Sequence, residues 1–545
     1  MPLKRSSRTH WRQSTAIIFV LLIAGCGYFD EKPKQGAIGY VTGFLGGVSA
    51  DEPRAALIGR EILSAGGTAA DAAVAAYFAL SVTLPSSASL GGGGICVVHD
   101  PVRQETKAID FLAGVPATVP VGADRPSAVP GNPRGMFMLH ARYGRLKWQQ
   151  LVAPAANIAR FGAVVSRAFA TDLDLVAAPL AAEPETLRIF RRVNEGGLAK
   201  EGDLLRQVEL AAVLERMRQH GPGDFYNGPL ARQIVASVNS VGGSLALEDL
   251  RSYAPAWRDP VAVEIVFGAT AYFAPPPAAA GAVAAEMIAM MTNREKAARN
   301  GEERPHLFVE AAMRAFGDRA RWLRPDGTSD VPVRDLVAKT RIAALMQSYD
   351  SAKHVPSANL DPAPVERPES PAATSFVVAD REGQVVTCAF TMNNLFGTGR
   401  VAPGTGILLA ALPGGGRGPT SLGPVIVHDK NVGSVMFAAG ASGGVTAPTA
   451  LAWVASEIVF ADKNLENALA SKRIHHGGHP DVVFHEPDVP AATLEALKAR
   501  GHQLAATPSL GKVNALFCPG GLLKKPETCQ IRPDPRGLGL ATSAQ

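Results

Sequence analysis

A late hairpin constrains the fold of this chain more than any other feature. Residues 372–380 read as a strand, Arg381-Glu382-Gly383 as a turn, and 384–394 as the returning strand. Much helical sequence comes before it. Over 53–82 the apolar residues recur at three and four (Ala55, Ile58 and Ile62, then Ala69, Ala72, Ala73 and Ala76), and Gly66-Gly67 divides them into two helices. Gly91-Gly92-Gly93-Gly94 then leads into a strand at 95–99, with 107–111 as its expected neighbour. The same reasoning predicts helices over 131–143, 148–161, 207–220, 229–241, 281–291, 306–323 and 448–460. Helices first and strands returning late require sheets built from both halves of the chain. The expected fold class is α/β, a four-layer sandwich of helix, sheet, sheet and helix.

Composition supports a globular chain. Of 545 residues, 47% are hydrophobic and 19% charged, with abundant Ala and Gly, which excludes a disordered protein. The net charge of +5 comes in part from the N-terminal segment, and no basic run is interleaved with aromatics, so nothing points to nucleic acid.

Lys4, Arg5, Arg8 and Arg12 precede an apolar run at 16–23, and Ala24-Gly25-Cys26 follows. This pattern reads as an export signal, residues 1–25, ending in a lipobox, with lipid carried by Cys26. Gly27, with no Asp in its place, favours the outer membrane of the cell envelope, with the protein facing the periplasm. Residues 26–52 read as a linker, followed by regions 53–372 and 373–545 that form one structural unit. The stretch 351–370, rich in Pro, Ala and charge, reads as a loop between them. Export implies an oxidising compartment. Cys518 and Cys529 flank a turn-rich loop and are expected to form a disulfide, whereas Cys96 and Cys388, each in an apolar run, read as buried free thiols.

Ordered matches along the chain resemble the gamma-glutamyltranspeptidase family from about residue 55 to 539. They include residues 62–75, the glycine run at Gly91, Val129-Pro130-Gly131, Phe225-Tyr226-Asn227-Gly228, Pro275-Pro276-Pro277, Gly440-Ala441-Ser442-Gly443-Gly444 and Asp534-Pro535-Arg536. The resemblance implies an N-terminal-nucleophile hydrolase fold, made as a precursor that cuts itself before a nucleophilic Thr. Such a Thr carries its own base, the α-amine, so no separate His is needed. An acyl group passes to its hydroxyl and then to water or an amine.

In that family the nucleophile stands seven residues before an Asp. Counting back from Asp380 reaches Ala373, so Thr374 matches the family's second Thr and Ser375 its His. An alternative register makes Thr374 the nucleophile, which requires a bulge because successive strand side chains face opposite ways. The resemblance assigns Thr391 to assist the nucleophile, Asn393, Thr420 and Ser421 to contact substrate, and the amides of Gly443 and Gly444 to meet an oxyanion. The family's carboxylate-binding Arg is replaced by Leu112, and the stretch from Leu408 to Gly415 lacks its amine-binding groups.

His475, His476 and His479 lie in a Gly-rich spacing and are assigned no metal, because the family carries a similar His-bearing segment without one, and no cofactor is expected. Gly440 to Gly444 is not followed by Lys-Ser/Thr, which argues against a phosphate loop. The functional expectation is a family lipoprotein whose ancestral reaction is gamma-glutamyl amide transfer or hydrolysis, with Ala373 in place of the nucleophile that the classical activity requires, and a small amide or peptide-like ligand. Two alternatives accompany it: an amidohydrolase using Thr374 on a non-glutamyl substrate, and a non-enzymatic binding or scaffold protein that stays one chain.

Overall fold

The computed structural model describes residues 46–192, 196–324, 326–360, 373–414 and 421–544. The strands that matter here are β1 (Gly46–Ala50), β2 (Gly93–Asp100), β3 (Glu105–Phe111), β4 (Ala256–Arg258), β5 (Val261–Glu264), β6 (Ala269–Phe273), β7 (Ala373–Asp380), β8 (Val385–Thr391), β9 (Val425–Asp429), β10 (Ser434–Ser442), β11 (Lys512–Phe517), β12 (Gln530–Arg532) and β13 (Leu540–Ser543). They build two large antiparallel sheets, one in the order β13-β1-β7-β8-β2-β3-β4 and the other β12-β11-β10-β9-β6-β5. Each draws strands from both sides of residue 372.

Helices cover the outer faces. On the first sheet lie α1 (Pro53–Ser64), α2 (Ala69–Thr83), α3 (Asn132–Tyr143) and α4 (Trp148–Phe161), sharing a core with Val48, Phe376, Val378 and Phe390. On the second lie α5 (Ala279–Asn293), α6 (Arg304–Trp322) and α7 (Ala447–Val459), packed on Val425, Phe437 and Ala439. A third apolar cluster, including Val377, Ala379, Val385, Ala389, Ile426 and Ala438, fills the space between the sheets. The result is the four-layer sandwich expected from the sequence.

Local chemistry explains why helix and hairpin meet. Thr68 and Asp71 form a capping box at the start of α2, whose residues are all buried. The hairpin supplies the remaining acceptors: Asp380 Oδ2 takes the Ala69 amide at 2.9 Å and Gln384 Oε1 the Ala70 amide at 2.9 Å. Burial pushes the Asp380 carboxyl up to about 6, against the pull of those amides.

Two expectations from the sequence are corrected. The end of the segment read as a linker is β1, held between β13 and β7, because Val48 and Ala50 bury their side chains in the helix-side core. Cys96 and Cys388 are not free thiols. They are direct partners across β2 and β8, with Cα atoms 4.0 Å apart, and form a disulfide that joins the two halves of the chain. The bridge expected between Cys518 and Cys529 is present. Cys26 and the export segment lie outside the described residues, and among the described residues no helix is long and apolar enough to cross a membrane.

Candidate functional site

The site expected from the sequence sits where β7 begins. Ala373 is its first residue and the direct cross-strand partner of Thr391 at the end of β8. Partners in a ladder share a face. Here that face is the one toward the second sheet: Val377, Ala379, Val385 and Ala389 belong to the cluster between the sheets, and Ala373 and Leu112 pack against it. Ser375 lies on the same face, with its Cβ 2.9 Å from where a Cβ on Gly440 of β10 would stand.

Thr374 lies on the other face. Phe376 and Val378, its neighbours at two and four residues, belong to the helix-side core. Pairing of β7 with β8 runs without a register shift from Ala373 to Ala379. No bulge therefore turns Thr374 toward Thr391. Its hydroxyl donates instead to Asp51 Oδ2 at 3.1 Å.

Asp51 organises this end of the sheet and was missed in the sequence, where it fell within the presumed linker. Its Oδ2 also accepts from the Ser375 amide at 3.0 Å and from Ser442 Oγ at 3.4 Å, and its Oδ1 accepts from Asn514 Nδ2 at 2.8 Å. Asn514 further donates to Ser375 O and Oγ, both at 3.1 Å, and accepts from Ser49 Oγ at 2.9 Å. These side chains are buried, so each donor needs its acceptor. The only signal available in the sequence was the short polar and apolar alternation of Val48-Ser49-Ala50-Asp51.

Ser442 carries the chain into Gly443 and Gly444, which have φ of +129° and +62°. Only glycine tolerates the first, since a Cβ there would lie 2.6 Å from Gly511 Cα. Neither amide of this glycine pair meets an acceptor among the described residues, while Gly443 O accepts from Thr446 Oγ1 at 2.8 Å. The turn thus presents donors ahead of α7, beside the residues gathered by Asp51.

Thr391 Oγ1 accepts from the Asn393 amide at 2.9 Å, and Asn393 holds the left-handed backbone at φ +61° while its Nδ2 donates to Ala411 O at 2.9 Å. Next to it is a cavity of about 620 Å³ lined by Arg125, Leu180, Phe396, Thr398, Ala411 and Leu412. Arg125 donates to Thr398 O at 3.2 Å and is paired with Glu183. Leu112 cannot pair with an anion, and the neighbouring Asp110 is already engaged by Arg258 at 2.8 Å. Ser421 is buried just before Leu422 of the inter-sheet cluster; Thr420 lies outside the described residues.

The three histidines singled out in the sequence diverge. His475 is fully buried, hydrogen-bonded through Nδ1 to Thr449 Oγ1 at 2.8 Å, and burial lowers its pKa to about 3. His476 Nε2 meets Asp481 Oδ1 at 3.1 Å, and His479 is exposed.

The gamma-glutamyltranspeptidase family model matches residues 55–412 and 410–539, nearly all of the described chain. The chain belongs to the gamma-glutamyltranspeptidase family. Among its relatives, the glutathione hydrolase proenzyme of Pseudomonas aeruginosa is 31% identical over 548 residues, covering 91% of this chain and 94% of that protein. The glutathione hydrolase proenzyme of Escherichia coli (strain K12) is 29% identical over 515 residues, covering 87% and 88%. In structure, the chain resembles cephalosporin acylase from Bacillus halodurans, with a TM-score of 0.79 over 95% of this chain and 99% of that one at 23% identity, a likeness of fold. A gamma-glutamyltranspeptidase from Helicobacter pylori aligns with a TM-score of 0.53 at 28% identity, covering 57% of this chain and 93% of the other.

Proposed function

We propose that this gamma-glutamyltranspeptidase-family protein is an exported envelope lipoprotein anchored through Cys26, which keeps the family's acyl-transfer scaffold but remains a single chain without gamma-glutamyl transfer. One observation carries the reading: Ala373 pairs with Thr391 on the face toward the second sheet, the position at which the family's nucleophilic Thr is expected. A methyl group has no lone pair, so no acyl intermediate forms there. Leu112 and the apolar wall at Ala411 and Leu412 agree, because neither offers a charge to a glutamyl carboxylate or amine. The remaining groups, Thr391, Asn393, Ser421 and the Gly443-Gly444 amides, would serve to bind a small amide or peptide-like ligand.

A second reading has one observation in its favour. Thr374 Oγ1 lies 3.1 Å from the Asp51 carboxylate, a hydroxyl beside a base, as an amidohydrolase acting on a non-glutamyl substrate would need. N-terminal sequencing of the purified protein, separated under reducing conditions, decides between them. A fragment beginning at Thr374 supports the second reading and refutes the first. An intact chain that releases no product from gamma-glutamyl anilides supports the first.

A further inference from the structure

Far along the chain from the β7 site, α6 places His306 and Glu310 one turn apart, so both project from one face. His502, 196 residues later, meets them: its Nε2 lies 2.8 Å from His306 Nδ1 and 3.9 Å from Glu310 Oε1. The three ligand-type atoms all lie within 4.8 Å of one another, and all three residues are buried.

We propose that His306 Nδ1, Glu310 Oε1 and His502 Nε2 bind a divalent transition-metal ion of the zinc type. Bonds of 2.0–2.2 Å in a tetrahedral arrangement set ligand atoms roughly 3.3 Å apart. The spacings of 2.8 Å and 3.9 Å bracket that value and the third lies within 4.8 Å, so side-chain shifts of up to about an ångström admit the ion.

The surroundings orient the ligands. His306 Nε2 lies 2.9 Å from the Asp350 carbonyl, which accepts its proton and leaves Nδ1 with a lone pair aimed at His502. Arg314 pairs with Glu310 Oε2, leaving Oε1 toward the site. His354 bridges Glu310 Oε1, at 2.8 Å from its Nδ1, and Asp481, within 3.2 Å of its Nε2. Glu310 and Asp481 bring the negative charge that a buried divalent ion requires.

Without the ion, His502 donates its Nε2 proton to His306 Nδ1. With the ion, that proton moves to His502 Nδ1 and both lone pairs point at the metal. Two imidazoles and one carboxylate suit zinc and cobalt better than magnesium or calcium, which prefer all-oxygen sites. The ion would tie α6 to the turn after the helix Ala491–Ala499, which His502 already joins to His306 by a hydrogen bond and a ring contact.

The test uses tag-free full-length protein stripped of metal and titrated with Co²⁺, read by the visible absorption of tetrahedral cobalt, then with Zn²⁺ and elemental analysis after gel filtration. One ion per chain is expected, with binding lost in His502→Ala and kept in His479→Ala, which removes an exposed imidazole. His354→Gln, a change behind Glu310, should weaken affinity by about 10-fold to 100-fold while keeping the stoichiometry. Far-UV circular dichroism checks that each variant is folded. The proposal is overturned if folded wild-type protein binds no stoichiometric ion, if His502→Ala binds as wild type does, or if His479→Ala abolishes binding.

Discussion

Replacing Asp51 with Ala should loosen the start of β7 and lower the stability of the whole sandwich. The magnitude follows from the donors left behind. Ser375 N–H, bonded to Asp51 at 3.0 Å, loses its acceptor inside the sheet. Asn514 loses the bond at 2.8 Å but keeps those to Ser375, and the Thr374 and Ser442 hydroxyls can rotate away. One buried donor without a partner costs about 1–3 kcal/mol, so Asp51→Ala should lose about 1–3 kcal/mol. Asp51→Asn, which keeps one carbonyl oxygen, should lose roughly half as much. Equilibrium urea unfolding followed by tryptophan fluorescence measures both. A loss for Asp51→Ala below about 0.5 kcal/mol, the scatter of surface substitutions, would refute the assignment of Asp51 as the organiser of this site.

Three other expectations concern different parts of the molecule. Burial, reinforced by the neighbouring His428, lowers His99 from 6.5 to about 4. As pH falls from 6.5 the unfolded chain takes up this proton first, so stability present above 6.5 is lost toward pH 4, by up to about 3 kcal/mol. His99→Gln should flatten that part of the urea-derived stability profile, and an unchanged slope would contradict the assignment. Protein nicked by a protease within 361–372 should migrate as one species on a non-reducing gel and as two after reduction, because Cys96–Cys388 joins the halves; two species without reductant would exclude that bridge. Gly443→Ala forces a Cβ into a left-handed turn 2.6 Å from Gly511 Cα and should cost about 1–3 kcal/mol in the same urea assay, whereas a neutral effect would mean the turn relaxes freely.

Much of the architecture was legible because local periodicity reports which face of an element is buried. The helix expected over 148–161 is α4, the pair divided at Gly66-Gly67 is α1 and α2, and the hairpin at 372–394 contains β7 and β8. Periodicity does not report partners. Strands β4 to β6, at 256–273, are short and escaped notice, and β1 was hidden in a segment read as linker. The Cys96–Cys388 bridge depends on the register of two strands 292 residues apart in sequence. Asp51 and the His306, Glu310 and His502 group likewise exist only after distant segments meet. At the candidate site, the count back from Asp380 reaches Ala373, but its pairing with Thr391 follows only from the register of the folded hairpin.

The central claim is that Ala373 occupies the nucleophile position in an otherwise formed scaffold. Intact-mass spectrometry of reduced, denatured protein tests it directly on the wild type and on Ala373→Thr side by side. The account predicts an uncut wild-type chain and an Ala373→Thr chain that splits between residues 372 and 373. A wild-type protein already divided at either side of Ala373 would contradict it.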